Sequence, residues 1–320
     1  MNEYEFLKDV LVITVKKSFW ASKECTIFPN RLYATVLFGH SRAIVNTLIT
    51  ALRSLFYCFK YKPKLIVFGS SSGVVPFFII FKMLGLIPSV KIITTTHLYF
   101  SDSAVKHIDK IIVYSKSQIA RHKPSIRNKY IFIPLPADGI FKEKSEHPSE
   151  LFIFSGGSDT RDFQALIRAI EKLDIQLKIV TNSPKHLNFN GKIPENCNVY
   201  WKMPLQNFLK LMAESLFVVV PLLKGNIPHG HTTIVQAFCS GKAVLSNSDA
   251  SVEDYISNGK EGILVPPGNI EAYQEAILKL YHDHTFRKQC EAGAKLKAKE
   301  LTYESFANRL INLCKEVIAN

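Results

Sequence analysis

The sequence predicts an α/β protein built from two doubly wound parallel sheets in series, and three observations carry that prediction. Short β-rich runs alternate with stretches of helical periodicity along the chain, the pattern of parallel strands joined by crossover helices. The alternation falls into two successive sets, each the size of one doubly wound domain. Between them lies Leu135–Glu150 (LPADGIFKEKSEHPSE), polar, charged and proline-containing, which reads as a linker. At 320 residues, with an apolar share of 47 % and a charged share of 21 %, the chain has the material for two folded domains that each bury a core.

The first set, within residues 1–140, places strands at Val10–Val15, Leu32–Phe38, Leu65–Phe68, Lys91–Thr95, Lys110–Tyr114 and Tyr130–Ile133. From Arg42 to Phe59 apolar residues fall at 44, 45, 48, 49, 52, 55, 56 and 59, an amphipathic stripe expected to pack on the sheet. Val74–Ile87 (VVPFFIIFKMLGLI) is apolar all round apart from Lys82, so this helix is either deeply buried or meets an apolar surface outside the protein. Pro76 sits in its first turn, where a missing N–H is harmless. The second set, residues 151–300, places strands at Leu151–Ser155, Gln176–Thr181, Asn198–Trp201, Phe217–Val220, Ala243–Ser246 and Gly262–Val265. Helical stretches follow near 270–283, 285–299 and 303–319, the last with Phe306, Leu310, Leu313 and Val317 at helical spacing.

Charge is uneven. The net charge is +13, from 40 Lys and Arg against 27 Asp and Glu. Residues 1–149 hold 21 cations and 9 acids, leaving the remainder close to neutral. A basic half suits an anionic lipid surface. A nucleic-acid partner is disfavoured, because the aromatics of that half are interleaved with aliphatics rather than with arginines. A lysine-rich proteome is the plain alternative. The longest uncharged stretch, Leu65–Phe81, is broken by Gly69-Ser70-Ser71-Ser72-Gly73, so no transmembrane segment is expected. The first residues lack the order of a signal peptide. The six cysteines are scattered without metal or disulfide spacing, which fits a reducing cytoplasm.

Two turns carry the candidate chemistry. His229-Gly230-His231-Thr232-Thr233 opens a helix with Gln236 one turn on. Glycine admits a phosphate close to the backbone, hydroxyls add donors, and a helix start favours an anion. Thr233-Ile234-Val235-Gln236 equally fits a capping box, which would leave it a purely structural feature. Ser155-Gly156-Gly157-Ser158-Asp159-Thr160-Arg161 follows a strand and opens an amphipathic helix. Arg161 suits two phosphate oxygens at once, or Asp159 caps the helix and Arg161 is solvated. A third candidate group, Thr94-Thr95-Thr96-His97, ends a strand of the first domain with Asp102 beyond it. There is no D-x-D, no complete P-loop around Ser240-Gly241-Lys242-Ala243, and no G-x-G-x-x-G after a strand.

Gly230, Thr232, Gln236-Ala237, Gly241-Lys242-Ala243-Val244 and Gly262-Ile263-Leu264-Val265-Pro266-Pro267-Gly268 together resemble the nucleotide-sugar half of the GT-B glycosyltransferases, family 4 above all. The resemblance implies two Rossmann-like domains facing a cleft, with a last helix (301–320) that crosses back to the first. It also implies transfer of a sugar from a nucleotide diphosphate sugar to an acceptor; the basic and apolar features of the first half point to a saccharide or lipid-linked saccharide acceptor in polysaccharide assembly, at the inner face of the membrane. The donor site would comprise Gly156, Gly157, Arg161, Lys224, His229, Gly230, His231, Thr232, Thr233 and Gln236. Amides at the starts of both helices would hold the leaving diphosphate, with no metal and no cofactor besides the donor substrate. His97 and Asp102 are the candidates for a general base. The sequence departs from the family in two places. Gln236 stands where a glutamate usually binds the ribose, and Pro228 falls where a second glutamate meets the donor sugar. Two further readings therefore stand beside transfer: an epimerase or hydrolase of the same fold, and a non-catalytic partner subunit.

Overall fold

A computed structural model describes residues 5–14, 28, 30–33, 43–69, 72–95, 100–137, 151–158, 160–187, 189–225 and 228–320. The chain divides into two compact units, Met1–Pro134 with Tyr303–Asn320, and Leu135–Thr302.

In the first unit strands β1 (Val10–Thr14), β2 (Asn30–Tyr33), β3 (Leu65–Phe68), β4 (Lys91–Thr95), β5 (Lys110–Val113) and β6 (Tyr130–Phe132) form a sheet in the order β2-β1-β3-β4-β5-β6. All its pairings are parallel. β1, β3, β4 and β5 are rich in Ile and Val and buried on both faces, as a parallel sheet covered by helices requires. The second strand starts two residues earlier than expected, and residues 34–38 lie outside the described residues. Helices α1 (Ala43–Tyr61), α2 (Val75–Met83), α3 (Asp102–Val105) and α4 (Lys116–Ala120) connect the strands. α11 (Tyr303–Ala319) also belongs to this unit, where Lys110 Nζ lies 3.3 Å from the Glu316 carboxylate.

Helix α1 corrects the sequence reading. Its apolar stripe does not pack on the sheet: Val45, Leu48, Leu52, Phe56 and Phe59 are exposed, while Thr50, Ala51, Ser54 and Cys58 are buried. The small residues let the helix approach the sheet closely. Their hydroxyls are satisfied within the helix, Thr50 Oγ1 donating to the Asn46 carbonyl (2.8 Å) and Ser54 Oγ to that of Thr50 (2.6 Å). Helix α2 is shorter than its apolar run. It buries Val75, Phe78 and Ile79 and ends at Met83. Gly85, at φ +72°, closes it, with Leu86 N–H donating to the Phe81 carbonyl and Gly85 N–H to that of Lys82.

In the second unit β7 (Phe152–Gly156), β8 (Gln176–Thr181), β9 (Cys197–Trp201), β10 (Val218–Val220), β11 (Val244–Asn247) and β12 (Gly262–Val265) form a parallel sheet in the order β12-β11-β10-β7-β8-β9. Helices α5 (Phe163–Ile170), α6 (Pro184–Leu187), α7 (Leu205–Glu214), α8 (His231–Cys239), α9 (Ile270–His282) and α10 (His284–Ala298) surround it. The core gathers Phe163, Leu166, Ile167 and Ile170 of α5 with Tyr273 and Ile277 of α9. The chain leaves β7 toward β8 and β9, then returns to place β10 on the other side of β7. Such a reversal opens a crevice at the carboxyl ends of β7 and β10, where doubly wound sheets bind ligands.

The segment read as a linker begins inside this unit. Leu135 N–H donates to the Tyr255 hydroxyl (3.0 Å), and Ala137 N–H to the Leu301 carbonyl (2.8 Å). Residues 138–150 lie outside the described residues. No helix among the described residues is long and apolar enough to cross a membrane.

Candidate functional site

The two turns read from the sequence meet at that strand reversal, in one direct bond. Arg161 Nη2 donates to Thr233 Oγ1 at 3.1 Å, and its Nε donates to the Gly156 carbonyl at 3.1 Å. The guanidinium, only 7 % exposed, thus ties the glycine turn after β7 to the first turn of α8, 72 residues away. It is not the solvated side chain of the alternative reading. Both glycines are explained by close approach. A Cβ on Gly156 would strike the Phe208 ring, and one on Gly157 would lie 2.6 Å from the guanidinium. Gly157 also adopts φ +130°, outside the reach of most side chains.

Helix α8 begins at His231 behind Gly230, whose φ of +84° and contact with Leu222 leave no room for a side chain. No side chain caps this start. Thr233 is therefore inside the first turn and Thr233–Gln236 is not a capping box. The amides of the first turn and the positive end of the helix dipole favour an anion here. Helix α5 differs, and this is a second correction. Asp162 Oδ1 already accepts from Ala165 N–H (3.0 Å), so that helix start holds its own carboxylate and only α8 offers uncapped amides. Asp159 lies outside the described residues.

A cavity of about 400 Å³ lies against this junction. Gly157, Ser158, Thr232 and Gln236 line it together with the apolar Val180, Met203, Leu205 and Phe208. Thr181 and Asn182 complete the wall. Asn182 Nδ2 donates to Ser158 Oγ at 2.5 Å, whereas Thr181 Oγ1 is buried with no partner among the described residues. The residues at the ends of β8 and β9 and on α7 were missed from sequence. Their position at the carboxyl ends of strands beside β7 was the available signal.

The histidines do not enter the cavity together. His231 is 3 % exposed, with Nε2 on the Ser251 carbonyl (3.0 Å) and its ring stacked on Tyr255 (4.6 Å between centroids). Its imidazole is a structural element of the unit's interior, which corrects its assignment to the donor site. His229 folds back onto its own loop, Nε2 lying 3.2 Å from the Leu223 carbonyl. Lys224, in the same loop, is exposed. In the first unit, Asp102 opens α3 and is ion-paired with Lys123 at 2.6 Å. His97 lies outside the described residues. Among the described residues no three His, Cys, Asp or Glu side chains are grouped to hold a metal ion.

Residues 140–297 match the model of the family described as glycosyl transferases group 1. That stretch, just under half of the chain, is similar to a group 1 glycosyl transferase domain. Sugar transfer is accordingly its class of reaction. Solved structures extend the likeness in fold to the whole chain. A glycosyltransferase from Rickettsia africae is 16 % identical with a TM-score of 0.72, the match covering 99 % of this chain and 94 % of that one. Sucrose-phosphate synthase from Thermosynechococcus elongatus is 14 % identical, with a TM-score of 0.73 and coverage of 97 % and 99 %. Anabaena HepE, solved with UDP and glucose, is 12 % identical, with a TM-score of 0.69 and coverage of 99 % and 96 %. The fold of the chain is thus GT-B, with two parallel α/β sheets. No curated protein matches it in sequence.

Proposed function

We propose that this glycosyltransferase takes its sugar from a nucleoside diphosphate sugar bound in the second unit and passes it, without a metal ion, to a saccharide or lipid-linked saccharide. The acceptor, bound by the first unit, would be presented at an anionic membrane surface in polysaccharide assembly. The observation that carries the donor reading is the Arg161–Thr233 bond, which puts a guanidinium beside an uncapped helix start whose Thr232 and Gln236 line a cavity.

On this reading the bond from the anomeric carbon to the β-phosphate oxygen breaks as the acceptor oxygen bonds to that carbon. The acceptor's proton passes to a base, for which His97 and Asp102 remain the proposed groups. Charge grows on the departing diphosphate, and fixed donors aimed at it lower the barrier. Arg161, the first amides of α8 and the Thr232 hydroxyl are those donors, with Lys224 at the rim. Gln236 faces the ribose hydroxyls, offering one acceptor and one donor. Met203, Leu205 and Phe208 give the base an apolar wall. HepE has been solved with UDP-glucose, which makes UDP the first nucleotide to try.

The test is a thermal-shift series with UDP, GDP, ADP and CMP and their sugar conjugates, followed by product analysis with saccharide acceptors. One nucleoside diphosphate should raise the melting temperature, and sugar should appear on the acceptor. A chain that no nucleotide stabilises would contradict the proposal, and donor turnover that no acceptor alters would point to a hydrolase.

A further inference from the structure

We propose that the outward face of α1, together with the apolar end of α2, docks on an anionic lipid bilayer. This rests on the membrane placement proposed above and is independent of the sugar-transfer chemistry. Val45, Leu48, Leu52, Phe56 and Phe59 are 43–64 % exposed and recur at spacings of three and four, so they form one stripe. The stripe points away from the buried Ala51, Ser54 and Cys58 on the opposite side. Apolar patches of this kind on a soluble surface mark contact with a partner or a membrane.

The end of α2 extends the patch. α1 leads into β3 and α2 into β4, and these strands are paired neighbours, Lys91 N–H donating to the Lys64 carbonyl at 2.9 Å. Both helices run back against the strands, so both finish at the end of the sheet where β3 and β4 begin. Ile80, Met83, Leu84 and Leu86 are exposed there, on the same end as Phe56 and Phe59.

Charge selects the occupant. From Cys25 to Ser101 the sequence contains no Asp or Glu but eight Lys and Arg. Lys64, Lys82 and Lys91 pair with carboxylates of other elements, Asp9 and Asp109. Arg53, Lys60 and Lys62, on α1 or just past it, have exposed side chains beside the stripe. A second copy would set this cationic rim against its own like. A bilayer of anionic lipid offers hydrocarbon to the stripe and negative headgroups to the rim.

The experiment is sedimentation of the full chain with phosphatidylcholine vesicles, with and without phosphatidylglycerol. The natural chain should bind the anionic vesicles at least about tenfold more tightly than the neutral ones, and less as salt rises. Leu52→Glu with Phe56→Glu should lower that binding at least about tenfold. Lys60→Glu with Lys62→Glu, which changes exposed side chains and no buried one, should lower it severalfold. The UDP-induced melting shift, read on the same variants, reports that the protein is folded. Vesicle binding that both variants retain would overturn the assignment of this face while leaving membrane placement intact. Absence of binding by the natural chain would overturn both. A dimer by light scattering that Leu52→Glu with Phe56→Glu disperses would give the face to a second copy, and the proposal would fail.

Discussion

Replacing Arg161 by alanine removes a side chain that joins the glycine turn to α8. The guanidinium is buried and makes hydrogen bonds to the Gly156 carbonyl and to Thr233 Oγ1. Bonds from a charged donor contribute about 1.5–3 kcal/mol each, and truncation leaves buried acceptors unsatisfied. Allowing for relaxation and water entry, a loss of about 2–4 kcal/mol is expected. For a unit of this size that corresponds to roughly 5–15 °C in melting temperature. Binding should suffer separately. If Arg161 also grips the diphosphate, its removal weakens UDP by about 2–3 kcal/mol, or roughly 30- to 150-fold in Kd. The two effects are separated by Thr233→Val, which deletes only one partner of the guanidinium. It should lower stability by about 1 kcal/mol and UDP affinity by less than about tenfold. Isothermal titration calorimetry on folded protein reads the affinity, and calorimetric melting reads the stability. Should Arg161→Ala bind UDP as tightly as the natural chain, Arg161 is a structural tie and the diphosphate lies elsewhere.

Other substitutions test the surroundings. Gly157→Ala puts a methyl 2.6 Å from the guanidinium at a backbone angle that alanine avoids. It should lower stability by at least about 1 kcal/mol, seen in urea melts, and weaken UDP in parallel with Arg161→Ala. Gln236→Leu should weaken UDP roughly fivefold to tenfold through lost ribose hydrogen bonds, whereas Gln236→Glu should preserve binding; equal affinity for all three would take Gln236 out of the nucleotide site. Burial pushes the thiols of Cys58, Cys197 and Cys314 up to about 12. Each therefore holds its proton in the folded chain above pH 9 while the unfolded chain releases it. Stability should fall from about pH 9 upward, by roughly 1 kcal/mol per pH unit per thiol, and be unaffected by these groups below it. The same three cysteines should resist iodoacetamide at pH 8 until the protein is unfolded, as peptide mass spectrometry would show.

The sequence by itself determined the strands and the places of the two turns, after β7 and before α8, that the structure brings together. Eleven of the twelve strands fall within one residue of the expected positions, because runs such as Leu65–Phe68 and Val218–Val220 are too apolar to be stable anywhere but in a sheet covered on both faces; of the expected Leu32–Phe38 only residues 32 and 33 lie in a described strand, Asn30–Tyr33. Gly156, Gly157 and Gly230 stood out because close packing and positive φ leave no room for a side chain there. What only the tertiary structure decided is what these residues face. Periodicity shows that α1 has an apolar stripe, but the same stripe serves a core or an external surface. Small residues on the other side, able to approach the sheet more closely, took the core. Whether a helix start is open depended on one carboxylate, that of Asp162, and one αL glycine, Gly230. His231 matched a phosphate turn in sequence, yet Tyr255 and the Ser251 carbonyl drew it inward. Local sequence sets propensity and period. The bond between Arg161 and Thr233, and the apolar wall of Met203, Leu205 and Phe208, arise only when distant strand ends are brought side by side in one sheet.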